Sequence, residues 1–281
     1  MGKLQSFGII GGDKRQLYCG RSMEEDGYRV LYHGFHVSGE GVGVQNSDIE
    51  TIVRECDALL LPLPCSRDGI TVNAPFSERT VLLQELQSAF ETKPIFCGMK
   101  SKLPCKYKQV YDYAAREEFA VENAVSTGEG AIGLAIAHYE GTIHGARCLV
   151  TGYGRIGKVL SRMLQGLGAN VTVSARSLKD MAMIRAFGMK AMDSGSLSGQ
   201  YDLIFNTVPC LLFDAQTLAK TAANALIIDL ASLPGGIDDK SAERLSIPVI
   251  HALSLPGKTA PKASGIIIKN AVYHIIREEE L

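Results

Sequence analysis

The amino-acid sequence predicts an α/β fold made of two doubly wound domains in tandem, each built on a parallel sheet. Short apolar runs alternate along the chain with stretches of helical period, which is typical of parallel strands joined by crossover helices. The pattern occurs twice in the same order, and the second copy follows the first by roughly 130 to 145 residues. Each copy opens with an apolar run that leads into a glycine turn, at residues 7–13 and 149–155.

Each copy contains further apolar runs that we assign to strands. In the first copy the five runs are residues 7–13, 28–35, 57–64, 94–99 and 119–124, and in the second copy they are 149–155, 170–177, 202–209, 226–231 and 249–253. The third run of each copy begins with Asp and ends with Pro, which supports the correspondence. We therefore expect two Rossmann-like domains with a ligand cleft between them.

A helix is predicted to link the two copies. Ser126–Glu129 has the spacing of a capping box and precedes the apolar run Ala131–Tyr139. The segment Pro261–Glu278 begins with Pro and carries apolar residues at helical spacing, so we expect a helix that packs back on the first domain across the cleft. The predicted divisions are residues 1–125 (N-terminal substrate domain), 126–145 (linking helix and hinge), 146–258 (second domain) and 259–281 (C-terminal helix).

Composition limits the classes of function. The 281 residues carry 29 Lys and Arg against 30 Asp and Glu, and this net charge of -1 argues against nucleic acid or an anionic membrane as the main partner. No apolar stretch reaches the roughly 18 residues of a membrane span, and the first residues lack a secretory signal. The seven cysteines are widely spaced without C-x-x-C, so we expect reduced thiols, no metal site and a cytoplasmic location.

A G-x-G-x-x-G motif opens the second copy, directly after an apolar strand and before a helix predicted at Ile156–Leu167. Its residues are Gly152, Tyr153, Gly154, Arg155, Ile156 and Gly157. The glycines allow a tight turn close to a pyrophosphate, and the helix N-terminus offers free N–H groups to it. This context predicts a dinucleotide-binding domain at residues 146–258. The alternative is a glycine turn that only packs helix on sheet.

The second strand of this domain ends at Ala175, Arg176 and Ser177, with no carboxylate before Asp180. An acidic residue there would accept hydrogen bonds from the ribose of NAD, whereas an Arg guanidinium suits the 2′-phosphate of NADP. We therefore expect NADP. The alternative is that Ser177 and Asp180 cap the next helix while Arg176 is solvated.

The third strand of the same domain ends in Asn206, Thr207, Val208 and Pro209. The chain usually passes the ribose and nicotinamide at this point of a dinucleotide-binding domain. We therefore expect these four residues to contact the cofactor, against the alternative of a strand end stopped by Pro.

Candidate substrate residues lie at the predicted carboxyl ends of strands. The first glycine turn lacks a third glycine and presents Asp13, Lys14, Arg15 and Gln16, with a second nucleotide site or a plain turn as the alternatives. After the last strand of the second domain come Lys258, Thr259 and Lys262, which would suit anionic groups at a helix N-terminus. Glu129, on the linking segment, is a candidate general base, although the capping box also gives it a structural role.

Together these motifs resemble one family over nearly the whole chain, that of the A-subunit of dipicolinate synthase from spore-forming bacteria. The segments that carry the resemblance are 11–16, 128–130, 142–145, 152–157, 175–177, 229–232, 234–236, 255–257 and 260–262. The family pattern P-T-x-E-G is altered at Ser126, which stands where Pro is expected.

The resemblance implies oxidation of a dihydrodipicolinate to dipicolinate with NADP, together with the flavoprotein-like B-subunit of dipicolinate synthase, in the mother cell during sporulation. Aromatisation would drive the reaction, so the protein must align two rings and place one base. Glu129 is the first candidate for that base and Asp13 the second, with Lys262 as a further catalytic candidate. Arg15, Gln16, Lys258 and Thr259 are the candidates for binding the dicarboxylate. We also expect a homo-oligomer.

Two alternatives remain open from the sequence. One is a 2-hydroxy acid or alanine-type dehydrogenase. Such enzymes usually have a Pro-His pair before the final helix and an Arg after the fourth strand of the cofactor domain, whereas here His251 does not follow a Pro and residues 229–236 contain no Arg. The other is a non-catalytic NADP-binding protein that regulates a partner enzyme.

Overall fold

The computed structural model describes residues 4–36, 43–104, 107–220 and 224–281. The chain folds as two compact units, Met1–Asn123 together with Ala260–Leu281, and Ala124–Thr259. None of the helices in the described ranges is long and apolar enough to cross a bilayer. Six cysteines are free thiols, and Cys105 lies outside the described residues.

The first unit contains a five-stranded parallel sheet in the order β2-β1-β3-β4-β5. Its strands are β1 (Ser6–Ile10), β2 (Arg29–His33), β3 (Ala58–Leu60), β4 (Ile95–Cys97) and β5 (Val110–Asp112). Alternate side chains of β1 enter different apolar clusters, with Phe7 and Ile9 in one and Ile10 in the other. A sheet with both faces covered is the doubly wound arrangement that the sequence predicts.

The helices that belong wholly to the first unit are α1 (Lys14–Glu25), α2 (Ile49–Glu55), α3 (Gln87–Thr92) and α10 (Pro261–Glu278). The C-terminal helix α10 has the span expected from its sequence, with Pro261 in its first turn, and it packs along α1. Lys269 on α10 forms an ion pair with Asp26 at 2.7 Å, just after the end of α1. Residues 260–281 therefore complete the first unit although they end the chain.

The second unit contains a six-stranded parallel sheet in the order β11-β10-β9-β6-β7-β8. Its strands are β6 (Arg147–Thr151), β7 (Asn170–Ala175), β8 (Lys190–Asp193), β9 (Leu203–Asn206), β10 (Leu226–Asp229) and β11 (Val249–His251). The strand β6 contributes Cys148 and Val150 to one apolar cluster and Leu149 to the other, so this sheet is also buried on both faces.

The helices of the second unit include the amphipathic α5, which follows β6. The set is α5 (Arg155–Gly166), α6 (Leu178–Ala186), α7 (Ala215–Lys220), α8 (Asp239–Arg244) and α9 (Leu255–Thr259). Strand order reverses between β1 and β3 in the first sheet and between β6 and β9 in the second. Ligands of doubly wound sheets bind at the carboxyl ends of the strands at such switch points.

The structure corrects the sequence prediction around residues 117–138. The predicted strand 119–124 and the predicted linking helix starting at Ser126 are parts of one helix, α4 (Glu117–His138). Glu117 and Glu118 occupy its first turn, where the helix dipole stabilises carboxylates. Ser126 and Glu129 lie in the interior of this helix, so these two residues form no capping box. The predicted division at residues 125 and 126 therefore falls within a helix, and the fifth strand is β5.

The strand β8 at the edge of the second sheet was not predicted. It has the sequence Lys-Ala-Met-Asp, is only partly buried, and pairs with β7 alone. Such an edge strand needs no apolar run, so a search for apolar runs does not find it.

Candidate functional site

The glycine turn after β6 has the geometry that its motif predicts. Gly152 has a φ of +88°, and a Cβ atom there would lie 2.7 Å from Oγ1 of Thr207. A Cβ atom on Gly157 would collide with the carbonyl oxygen of Gly152, so only glycine lets α5 approach the end of β6 this closely. The turn therefore brings the N-terminus of α5 to the switch point of the second sheet.

The space in front of this turn fits the diphosphate of a dinucleotide. Gly154 is the N-cap residue of α5, no side chain caps the helix there, and a Cβ on Gly154 would meet nothing within 4 Å. The first N–H groups of a helix attract anions. Open space, uncapped N–H groups and a close glycine approach occur together, as a bound pyrophosphate requires.

A cavity of about 600 Å³ extends from this turn. It is lined by Gly152, Tyr153, Gly154, Ala175, Arg176, Ser177, Asp180, Ser194, Thr207, Val208, Pro209, Cys210 and Leu212. Most of the predicted cofactor residues thus surround one cavity in the second unit. Arg155, Ile156, Gly157 and Asn206 do not line it.

At one end of the cavity, Arg176 follows the last residue of β7 and is exposed. Ser177 is the N-cap of α6, and its Oγ accepts a hydrogen bond from the backbone N–H of Asp180 at 3.0 Å. Ser177 therefore has the capping role that the sequence left open. Within the described residues, no hydrogen bond or ion pair engages the guanidinium of Arg176, and the Asp180 carboxylate also lines the cavity.

Asn206, which the sequence predicts to contact the cofactor, holds the segment that lines the cavity. Its side chain is fully buried and bonds the backbone of Val208 twice, donating to the carbonyl oxygen at 3.1 Å and accepting from the N–H at 3.2 Å. The Thr151 hydroxyl donates to Asn206 Oδ1 at 2.6 Å, and Asn206 Nδ2 donates to Asp229 Oδ1 at 2.7 Å. Asn206 is therefore a positioning residue.

Asp229 was not among the candidate site residues. It ends β10, is 2% exposed, and accepts backbone N–H groups of Ala231 and Gly236, both at 3.2 Å. His251 Nδ1 lies 3.6 Å from Asp229 Oδ2, and His251 Nε2 bonds Asp239 at 2.8 Å. The sequence feature that could have identified Asp229 is a single carboxylate at the end of an apolar strand. A polar group buried at such a position needs several hydrogen bonds.

The candidate substrate residues of the first glycine turn bond mainly to one another. Asp13 is the N-cap of α1, and Arg15 donates to both of its carboxylate oxygens, from Nε to Oδ1 at 2.9 Å and from Nη2 to Oδ2 at 2.9 Å. Burial alone would lower the pKa of Arg15, but the hydrogen bonds and charge of Asp13 outweigh it and hold that pKa above its ordinary value. Arg15 also donates to the Leu63 carbonyl, and Gln16 is fully buried with its Oε1 bonded to the Asp13 N–H. This pairing disfavours Asp13 as a base and Arg15 as the main substrate cation.

The remaining candidates are exposed and fall in both units. Glu129 lies mid-way along α4, and the adjacent Gly130 packs on α9, since a Cβ there would lie 2.9 Å from Thr259 Oγ1. Thr259 donates its hydroxyl to the Leu255 carbonyl at 2.9 Å. Lys258 is on α9, whereas Lys262 is in the first turn of α10 in the other unit. Lys258, Thr259 and Lys262 were predicted to lie together at one helix N-terminus, but they are divided between two helices.

Within the described part of the chain, no group of His, Cys, Asp and Glu side chains has the arrangement of a metal site. Cys210, at the edge of the cofactor cavity, is the exposed thiol among the described cysteines.

Comparison with known proteins gives two matching family models. Residues 6–115 match the N-terminal domain of the dipicolinate synthase A-subunit, and residues 114–241 match the NAD-binding domain of D-isomer specific 2-hydroxyacid dehydrogenases. The second match agrees with the cavity of the second unit and identifies a Rossmann-type, dehydrogenase-like domain.

Whole-chain comparisons reach further. The dipicolinate synthase A-subunit of Bacillus subtilis (strain 168) is 32% identical over 96% of this chain and 95% of its own length. The crystal structure of the dipicolinate synthase A-subunit from Bacillus halodurans superposes with a TM-score of 0.85 at 30% identity, over 98% of this chain and 99% of that one. D-lactate dehydrogenase from Escherichia coli shares the fold at 17% identity and a TM-score of 0.59, over 98% and 97% of the two chains. The chain belongs to the family of dipicolinate synthase A-subunits.

Proposed function

We propose that this protein oxidises a dihydropyridine dicarboxylate to pyridine-2,6-dicarboxylate with NADP, acting with a second subunit in the cytoplasm of a sporulating mother cell. The observation that carries the proposal is the cavity at the glycine turn of the second unit, in a chain of this family. A bound nicotinamide would accept a hydride from the substrate ring. The ring loses that hydride and one proton and becomes aromatic, so one substrate gives one reduced cofactor and one released proton.

The chain must supply three things to this reaction. The uncapped N-terminus of α5 would hold the diphosphate of the cofactor, and Thr207 to Pro209 would flank its nicotinamide half. The substrate carboxylates need cationic partners. A base must take the ring proton, and Glu129, an exposed carboxylate beside the contact of α4 with α9, is our candidate.

The test is ultraviolet detection of pyridine-2,6-dicarboxylate from freshly generated dihydrodipicolinate and NADP, with this chain alone and with its proposed partner. We expect product formation that depends on this chain and on NADP, and the two conditions show whether the partner is required. Folded protein that binds NADPH but forms no product in either condition would contradict the proposal. Pyruvate and glyoxylate serve as control substrates, and NADPH consumption with either would favour a 2-hydroxy acid dehydrogenase.

Glu129→Gln tests the base in the same assay. We expect turnover to fall by roughly a hundredfold, in the range usual for loss of a general base, with NADPH affinity unchanged. Glu122→Gln, which neutralises another exposed carboxylate of α4, is the matched control and should retain activity. Full activity of Glu129→Gln would remove Glu129 from this role.

A further inference from the structure

The dicarboxylate of the proposed reaction needs cationic partners, and Arg15 in the first glycine turn is already paired. Arg15 is 8% exposed and its guanidinium is paired with Asp13. The segment that follows β3, however, carries two more arginines, Arg67 and Arg79, to the surface of the first unit. Neither was a candidate from the sequence, because no motif surrounds them.

Arg67 and most of the residues of 71–81 line a cavity of about 370 Å³ in the first unit. This segment is held against the glycine turn after β1, since the Asn73 carbonyl accepts the N–H of Gly12 at 2.9 Å. A Cβ on Gly11 would lie 2.9 Å from Cγ1 of Val72, so glycine is needed for this approach. The cavity is therefore lined by the segment that follows β3, and that segment contacts the turn after β1 at the switch point of the first sheet, where doubly wound sheets bind ligands.

Two groups on the cavity lining form a pair of donors. Arg67 Nε donates to Asn73 Oδ1 at 3.3 Å, which holds the guanidinium and the amide side by side. Within the described residues, no hydrogen bond engages the Nη atoms of Arg67 or Nδ2 of Asn73. Neighbouring N–H donors, one of them permanently charged, match the two oxygens of a carboxylate.

The carboxylates near Arg67 leave most of its charge available. Asp68 accepts the N–H groups of Ile70 and Thr71 and the Thr71 hydroxyl, and these bonds hold its pKa well below the ordinary value while fixing the loop. Glu85 pairs with Arg79 at 2.9 Å. Among the described residues of the lining, Glu78 is the single acidic side chain, and no ion pair engages Arg67, whereas Arg79 is paired with Glu85.

We propose that this cavity binds one carboxylate of the pyridine dicarboxylate, through Arg67 and Asn73. The inference rests on the proposed function, because it assigns the ligand from the proposed substrate. It makes Arg67 a substrate-binding residue in place of Arg15, whose pairing with Asp13 stabilises the neighbouring turn.

The experiment measures the dissociation constant of pyridine-2,6-dicarboxylate by calorimetry on the full chain with saturating NADPH. Arg67→Gln should raise this constant by about tenfold or more, the loss expected when a charged donor to a carboxylate is removed. Wild type should bind the dicarboxylate more tightly than pyridine-2-carboxylate, and the substitution should remove that difference. NADPH affinity should not change.

Arg54→Gln is the matched control, since Arg54 is an exposed arginine of the same unit on α2, away from the cavity lining. It should leave the constant within about twofold of wild type. Equal constants for wild type and Arg67→Gln, in protein that carries out the reaction, would overturn this site and leave the proposed function standing. Absence of both dicarboxylate binding and reaction in wild type would overturn both. Inorganic phosphate that competes as well as the dicarboxylate would overturn the carboxylate assignment.

Discussion

At the residue scale, we propose that Arg176 sets the preference of the second unit's cavity for NADP over NAD. No carboxylate ends β7, and the exposed guanidinium of Arg176 lines the cavity. We expect Arg176→Ala to weaken NADPH binding about tenfold, which corresponds to about 1.4 kcal/mol, because a charge-assisted contact to the 2′-phosphate is lost. NADH affinity should change little. Fluorescence titration with both cofactors measures this, and comparable wild-type affinities for NADPH and NADH would contradict the assignment.

Asn206 is the residue through which the buried polar network reaches the cavity. Asn206→Ala would leave the Asp229 carboxylate, the Thr151 hydroxyl and the backbone of Val208 without the bonds described above. Because unsatisfied buried polar groups are costly, we expect a loss of about 3 kcal/mol of stability and weaker NADPH binding. Urea denaturation and cofactor titration measure the two effects.

The control for this network is Asn170→Ala in the same unit. Asn170 is exposed and its Nδ2 donates to the Gly145 carbonyl at 2.8 Å, so its loss should cost less than about 1 kcal/mol. Similar losses in the two variants would show that burial of the network has no special importance.

At the element scale, the contact between α1 and α10 depends on a glycine. A Cβ on Gly265 would lie 2.5 Å from the Arg15 carbonyl oxygen and 2.8 Å from the Cys19 nitrogen, which are backbone atoms that cannot move alone. We expect Gly265→Ala to destabilise the first unit by about 1–3 kcal/mol through overpacking. Gly133→Ala on α4 is the control, because a Cβ there meets nothing within 4 Å, and it should be neutral or stabilising by up to about 1 kcal/mol. Thermal unfolding that ranks the two variants equally would contradict this packing argument.

Elements also show how far sequence reasoning reaches. The cofactor turn was predictable because its glycines lie close together in sequence and two of them, Gly152 and Gly157, are required by local backbone geometry. The segment 119–124 was misassigned because a short apolar run fits a strand or a helix turn equally well. Asp13 and Arg15 were correctly placed after β1, but their mutual ion pair depends on side-chain geometry that the motif does not specify.

At the scale of the whole molecule, the two copies share a hydrogen-bonding arrangement at the amino ends of their central strands, away from the glycine turns. Asp57, before β3, accepts the N–H groups of Gln5 and Ser6 at 2.9 Å, and Asp202, before β9, accepts the N–H of Arg147 at 2.8 Å. Each aspartate thus joins the start of the strand that it precedes to the start of the first strand of its copy. The repeat recognised in the sequence therefore extends to the hydrogen bonds that hold the central strands in register.

These two aspartates predict how stability depends on pH. Partial burial would raise the pKa of Asp57, but the bonds from Gln5 and Ser6 outweigh it and lower that pKa, while the hydrogen bond from Arg147 lowers the pKa of Asp202. A carboxyl whose pKa is lower in the folded state stabilises the protein above its unfolded pKa, near 3.9, and loses this contribution as pH falls through the folded value. Asp57→Asn and Asp202→Asn should each cost about 1 kcal/mol at neutral pH, allowing for solvent screening. Urea denaturation from neutral pH down to about pH 3 should show each deficit shrinking with acidification, because the unfolded wild-type chain then binds a proton at this carboxyl more readily than the folded protein does. If the loss of unfolding free energy in either variant did not change with pH, the charge of that aspartate would not be the source of its contribution to stability.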